Sequence, residues 1–175
     1  MHDKTFLRTV LEYNEWANDE TYRKVAELPP EEITKKRKTL LESIFVSLHH
    51  LHNTDTIWLS HMQGKSHDYG NLREVRMTDF DELRTARKAK DKEIYDYFDS
   101  LSEADLDEVV EYELIGGNKG KLTRTMCFMH IVNHGSYHRG WIADMFGQAD
   151  AIQPTTDIPV FERARREAGD PPLPV

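Results

Sequence analysis

The residues best suited to chemistry in this chain are two histidines, His134 and His138, in a stretch with helical periodicity. In an α-helix, residues four positions apart lie on the same face, about 6 Å apart along the axis. Two imidazoles placed in this way can bind one metal ion, and a third from a neighbouring helix completes a facial set. Zinc with three protein ligands and one free position is the usual catalytic layout, whereas four protein ligands mark a structural site. The spacing therefore predicts a metal with an open coordination position.

The same pair has a second interpretation, as histidines at the edge of the core that are satisfied by hydrogen bonds, and spacing alone does not decide. His130 projects toward the polar side of this helix and lies about 12 Å along the axis from His138. We do not expect it to share an ion with His138, because metal–nitrogen bonds are only about 2.0–2.1 Å long. Metalloprotease helices carry Glu directly after the first histidine, and Gly135 occupies that position here. Peptide hydrolysis of that type is therefore disfavoured.

The third ligand is not settled by periodicity. An earlier helical stretch carries His49, His50 and His52, which point in three different directions. The pattern by itself favours His52, which lies nearer the edge formed by Phe45 and Leu59, whereas His50 lies on a smaller apolar flank. The choice stays open at this level.

Other polar residues have less specific interpretations. Asp55 falls in the middle of the apolar face of its helix. It is either a structural carboxylate hydrogen-bonded across the bundle or a residue that orients a ligand imidazole or a bound water. Cys127 fits a small buried hydrophobic residue better than a nucleophile, because no base or basic residue can be assigned to it. No general base is identifiable, and Asn14 and Tyr137, like Asp55, are candidates for pocket polarity only.

Apolar residues at helical spacing predict four long helices that position these side chains. They cover about residues 6–28, 41–62, 78–101 and 124–146, and a short helix is predicted over Phe161–Ala168. Thr78, with Asp81 three residues on, resembles a capping box at the start of the third helix. Asn14 lies on the apolar stripe of the first helix, so its side chain is predicted to point inward.

The segment 108–124 breaks the helical pattern. Val110, Tyr112 and Leu114 alternate with charged residues, and turn residues follow at 116–120, which indicates a short hairpin or an extended loop. The predicted fold is all-α, an antiparallel four-helix bundle with this insertion before the last long helix. Bundles of this kind build metal sites from side chains on facing helices. We expect one domain over 1–175, with a core at about 5–148 and a C-terminal extension over 149–175.

Composition restricts the partners and the compartment. The chain has 175 residues, a formal net charge of −8 and one cysteine. The acidic balance argues against a nucleic-acid partner, and no apolar run approaches the roughly 20 residues that cross a bilayer. The N-terminus lacks the apolar core of a signal peptide, and a single cysteine fits a reducing compartment. We therefore expect a cytoplasmic, acidic, single-domain protein that does not bind nucleic acid. Because the last long helix is apolar nearly all round, we also expect a homodimer.

Three blocks of sequence resemble the DinB/YfiT-like superfamily of metal-binding four-helix-bundle proteins. The first is Tyr13–Asn18, and the second is Ser43–Leu59, in which a histidine is followed by an acidic residue five positions later and by Trp eight positions later. The third and most specific is His130–Gly140. The resemblance spans about residues 5–148. It favours His50 over His52, because it places His50 in register with the acidic residue and the Trp.

The resemblance implies a divalent metal bound by His50, His134 and His138, with Zn or Ni expected first and Fe, Mn or Cu as alternatives. It implies transfer of a low-molecular-weight thiol, such as bacillithiol or mycothiol, to an electrophilic small molecule. The alternatives are a metal-dependent hydrolase or isomerase, or a non-enzymatic metal-binding and stress-response module. Two departures affect the pocket and leave the substrate open: Trp141 stands where the family commonly has Gln, and Tyr137 where it often has His.

Overall fold

Four long helices build the protein, and the computed structural model describes residues 4–173. The long helices are α1 (Lys4–Val25), α3 (Ile44–Met62), α4 (Phe80–Ser100) and α6 (Arg124–Gly147). Three short helices accompany them: α2 (Pro30–Thr34), α5 (Glu103–Asp107) and α7 (Ile158–Ala168). Strands β1 (Val109–Glu113) and β2 (Lys119–Thr123) form an antiparallel hairpin in which Val109 pairs with Thr123. The predicted all-α bundle with a hairpin before the last long helix is confirmed.

The order of the helices around the bundle is α1, α6, α3, α4, so that α1 and α3 lie diagonally. Ion pairs Arg8–Asp99 and Lys88–Asp19 show that α1 and α4 are antiparallel. Ring contacts between α3 and α6 show the same for that pair. In contrast, the neighbours α3 and α4 run in the same direction, so the predicted antiparallel arrangement does not hold for this pair. The long connection 63–79 makes this possible, because it returns the chain along the bundle before α4 begins, whereas the connection 26–43 starts and ends at the same end of the bundle.

Helix ends follow local capping chemistry. The hydroxyl of Ser43 accepts a hydrogen bond from the amide of Val46, so the second long helix begins three residues later than predicted. Helix α4 is capped by Asp79, whose carboxylate accepts hydrogen bonds from two amides of the first turn. The predicted capping box from Thr78 to Asp81 was therefore one residue out of register. Helices α2 and α5 were not predicted, because five residues are too few to show a periodic pattern.

Two apolar clusters fill the bundle, one toward each end. One contains Leu11, Phe98 and Phe128, and the other contains Val25, Leu83 and Phe146. The apolar side chains of α6 are at most 7% exposed in a single chain at these six positions: Cys127, Phe128, Ile131, Val132, Ile142 and Met145. One chain therefore covers most of this helix, and the homodimer stays a prediction. Within residues 4–173, no helix is both long enough and apolar enough to span a membrane.

A buried polar layer separates the two apolar clusters. Arg87 pairs with Asp55 at 2.7 Å and with Asp91 at 2.7 Å, and Asn18 donates a hydrogen bond to Asp91 at 3.0 Å. Arg139 donates to the side-chain oxygen of Asn18 at 2.8 Å. These contacts join all four long helices in one chain of hydrogen bonds. Because removal of one member leaves a buried charge uncompensated, the layer fixes the axial register of the helices.

Asn14 belongs to the same layer and is buried, as predicted. Its side-chain oxygen accepts a hydrogen bond from Arg139 Nη1 at 2.8 Å, next to Gly135. A Cβ atom at Gly135 would lie 2.7 Å from both the Asn14 oxygen and Arg139 Nη1. The glycine therefore allows α1 and α6 to approach closely enough for this hydrogen bond.

We expect Gly135→Ala to lower the free energy of unfolding by about 1–3 kcal/mol, because the added methyl group forces apart a buried hydrogen bond. Gly140→Ala in the same helix is the matched control, since a Cβ there meets no atom within 4 Å. The control should raise stability by up to about 1 kcal/mol through better helix propensity. Urea denaturation followed by circular dichroism measures both, and equal effects of the two substitutions would contradict this account of Gly135.

Candidate metal centre

Three imidazoles converge where α3 faces α6. His50 Nε2 lies 3.1 Å from His134 Nε2 and 3.1 Å from His138 Nε2. Tetrahedral metal–nitrogen bonds of about 2.0–2.1 Å place neighbouring ligand atoms roughly 3.4 Å apart, so the spacing suits one shared ion. Among residues 4–173, this is the one group of three or more His, Cys, Asp or Glu side chains whose ligand atoms lie within 4.8 Å of one another. The three predicted ligands are thus brought together, and the described part of the chain places no fourth His, Cys, Asp or Glu ligand atom in the group.

The fold explains why these histidines meet. His134 and His138 lie one turn apart on α6, and α3 runs antiparallel beside it with His50 opposite the gap. His50 Nδ1 is 3.3 Å from the backbone oxygen of Leu72. Because a carbonyl oxygen only accepts, Nδ1 carries the proton and donates, and Nε2 keeps its lone pair directed at the other two imidazoles. This tautomer is the one a metal ligand needs.

Burial keeps the three imidazoles neutral. Desolvation lowers the pKa of His134 to about 2 and that of His138 to about 4, and the neighbouring histidines contribute to both shifts. Burial also lowers the pKa of His50. Metal binding requires deprotonated ligands, so the group is ready for a cation at neutral pH. A divalent metal held by three neutral ligands retains its full charge.

His52 and His49, two further histidines of α3, do not join this group. Burial lowers the pKa of His52 to about 3, with Arg87 and Lys90 of α4 contributing, so its ring lies toward α4. His49 donates from Nδ1 to the carbonyl of Phe45 and accepts at Nε2 from the amide of Met77. His49 is therefore a structural residue that attaches the connection 63–79 to α3.

Asn53 has the same structural role and was missed by sequence reasoning. Its amide nitrogen donates to the carbonyl oxygens of Glu74 at 2.8 Å and Leu72 at 3.4 Å. Together with His49 and His50, it holds the connection 63–79 against α3. A polar side chain one turn after His49 was the available signal, but its partners lie in a loop without a periodic pattern.

His130 differs from its predicted position on a polar face. It is half-buried, with its ring 4.4 Å from Trp58 and 5.5 Å from His134 between centroids. The turn of α6 that contains it is covered by the hairpin and α3, which periodicity alone did not show. His130 is not among the three converging histidines, in agreement with the sequence analysis.

Asp55 and Cys127 both have structural roles in the bundle. Asp55 is 3% exposed and its carboxylate pairs with Arg87, so it orients no imidazole of the candidate centre. Cys127 is fully buried, and burial raises the pKa of its thiol to about 11. Neither residue is placed to act as a base or a nucleophile at this site.

The three histidines line a groove of about 640 Å³. Tyr137 and Trp141, the two departures from the family pattern, lie on its wall. A larger cleft of about 1000 Å³ lies between the hairpin and residues 65–69 and touches none of the three histidines. The groove, and not the larger cleft, is therefore where a substrate would reach a bound metal.

We expect His50→Ala, His134→Ala and His138→Ala each to reduce affinity for Zn or Ni about a hundredfold or more, because each removes one of three ligands. His52→Ala and His130→Ala are the matched controls and should stay within a few-fold of the unsubstituted chain. Competition with a chromogenic chelator measures the affinities. Equal loss in the His52 variant would show that the wrong histidine of α3 has been assigned.

Asp55→Asn should lower the free energy of unfolding by about 3 kcal/mol, because it leaves Arg87 with only one of its two buried carboxylates. Metal affinity should be unchanged, since Asp55 does not contact the candidate centre. Asp96→Asn on α4 removes an exposed ion pair with Lys92 and should cost less than about 1 kcal/mol. Thermal unfolding and metal titration test both statements, and a metal-affinity loss in Asp55→Asn would contradict them.

Comparison with known proteins agrees with this fold. A sequence profile of the DinB family matches residues 1–170. Protein DinB of Bacillus subtilis (strain 168) is 29% identical over 167 residues, which cover 89% of this chain and 93% of that protein. The crystal structure of a DinB-like protein from Bacillus cereus ATCC 10987 has a TM-score of 0.60 at 15% identity, covering 82% of this chain and 90% of its own. With its profile match over nearly the full length, this chain belongs to the DinB family.

Proposed function

We propose that this protein is a metal-dependent enzyme that transfers a low-molecular-weight thiol to an electrophilic small molecule. The observation that carries the proposal is the convergence of three neutral imidazole nitrogens on a groove, without a fourth ligand among residues 4–173. Three protein ligands leave a coordination position for a substrate. A divalent metal bound there supplies Lewis acidity, which lowers the pKa of a coordinated thiol or water.

A thiol fits the surroundings better than water does. Among residues 4–173, no carboxylate oxygen lies with the ligand atoms of the three histidines. Asp55 pairs through Oδ2 with Arg87, and Gly135 stands where a metalloprotease has its glutamate base. A free thiol has a pKa of about 8.5 and water one of about 15.7, so a thiol needs far less help to ionise at neutral pH. The site therefore favours a nucleophile that does not depend on a strong general base.

The groove has room for such a thiol and a recognisable polar feature. Its volume of about 640 Å³ is within the range of small-molecule sites. Arg73 is the charged residue on the wall, in a protein whose net charge is −8. A thiol that carries a carboxylate would be held there by the guanidinium group. In the transfer, the sulfur forms a bond to the electrophilic carbon, the leaving group departs with the bonding electrons, and the thiol proton passes to solvent.

The test is an assay of the metal-loaded protein with one electrophile and a panel of thiols, alongside His138→Ala and the matched control His52→Ala. We expect turnover that requires a thiol, disappears with a chelator, returns with Zn or Ni, and is lost only in His138→Ala. Turnover with water alone would identify a hydrolase instead. Bound metal without turnover for any thiol would favour the non-enzymatic metal-binding module.

A further inference from the structure

A second cavity adjoins the metal groove. It has a volume of about 390 Å³ and lies between α3, α6 and the hairpin. His134, Leu72 and Ile115 line both spaces, so a molecule in the second cavity would lie against His134, one of the three converging histidines. Most of its remaining wall is apolar and comes from Ile57, Trp58, Leu114 and Leu122. This composition suits the apolar part of a small ligand.

Thr54 supplies a polar atom in this apolar wall. It lines the cavity and is 4% exposed, and its hydroxyl is buried without a hydrogen-bond partner among residues 4–173. Thr56 and Ser60 on the same helix instead donate to the carbonyl four residues earlier, at 2.8 and 2.9 Å. A buried hydroxyl without a partner is uncommon, and its place on the cavity wall indicates that a ligand atom satisfies it.

His130 also contributes a polar ring to the wall of the cavity, as do His134 and Tyr112. The ring of His130 packs between Trp58 and His134. The cavity thus combines apolar and aromatic walls with a buried hydroxyl, that of Thr54, which has no hydrogen-bond partner within the part of the chain that the structure describes. Sites of this composition use the few polar groups to orient a ligand and the apolar walls to hold it.

We propose that this cavity binds the apolar group of the electrophilic substrate, and that the Thr54 hydroxyl donates a hydrogen bond to one acceptor atom of that substrate. The substrate class is a small electrophile with an aromatic ring or a branched alkyl group and one hydrogen-bond acceptor. The inference rests on the proposed function for the electrophile, while the thiol occupies the groove beside Arg73. Thr54 acts as a specificity-determining residue that directs the reactive carbon toward His134.

A titration with benzamide tests the cavity without turnover or metal, because benzamide offers one ring and one carbonyl acceptor. We expect amide shifts at Thr54 and Leu122 in ¹H–¹⁵N NMR spectra of the metal-free chain. Thr54→Val should weaken binding about fivefold or more through loss of the hydroxyl. Leu122→Phe should weaken it about tenfold or more by filling the cavity.

The matched controls are Thr56→Val, which removes a hydroxyl of the same helix that already has a partner, and Val109→Phe, which enlarges an exposed side chain of the same hairpin. Both should bind benzamide within about twofold of the unsubstituted chain. Absence of shifts at Thr54 and Leu122 at millimolar benzamide would overturn the proposal. Equal affinities of Thr54→Val and Thr56→Val would do the same, whether or not Leu122→Phe folds.

Turnover by the metal-loaded protein separates this inference from the proposed function. We expect a preference for benzyl chloride over methyl iodide, relative to their uncatalysed rates, that is lost in Leu122→Phe and kept in Val109→Phe. If no thiol and electrophile react while benzamide binds as described, the proposed function fails and the cavity assignment stands. Thiol-dependent turnover with the same preference in both variants would overturn the cavity assignment alone.

Discussion

The structure depends on the buried polar layer that crosses the bundle at mid-height. Arg87 and Arg139 each reach across helix boundaries to oxygen atoms on neighbouring helices. Apolar contacts tolerate small sliding movements, but a buried guanidinium group loses its partners when a helix shifts by one residue. The layer therefore selects one axial register of the four helices among several that would bury similar apolar area. Its desolvation cost is offset by the two carboxylates, Asp55 and Asp91, that balance the charge.

That register determines the candidate centre. Arg139 directly follows His138 on α6, so the side chain that fixes α6 against α1 also fixes the neighbouring imidazole toward α3. On α3, His50 is restrained by the carbonyl of Leu72, which is in turn held by Asn53. The three histidines are thus positioned from both sides, by the polar layer below and the connection 63–79 above. A site built in this way is organised before a metal arrives.

Sequence reasoning succeeded where the geometry of one helix decides the outcome. The proximity of His134 and His138 follows from four-residue spacing alone, and the inward position of Asn14 follows from its place on an apolar stripe. Periodicity failed for His50 because α3 is buried on nearly every side, by α4, α6, the hairpin and a loop. A helix without an exposed face has no distinct apolar side that would favour one histidine over another. Only the family resemblance favoured His50.

Other features could not be predicted from the sequence, for a related reason. The parallel direction of α3 and α4 depends on where the connection 63–79 returns, and the loop is held by His49 and Asn53 through backbone carbonyls that carry no side-chain signature. The predicted polar face for His130 failed because the hairpin covers that part of α6. Each of these features is created by contacts between segments distant in the chain.

The burial of Cys127, the one cysteine of the chain, affects how readily electrophiles could alkylate this protein. Electrophiles alkylate accessible cysteine thiolates, so a catalyst that works on them is at risk of inactivating itself. Cys127 is fully buried in the apolar core and burial keeps its thiol protonated at neutral pH. Under the proposed function, electrophiles that enter the groove would therefore meet no accessible cysteine thiolate of the protein itself.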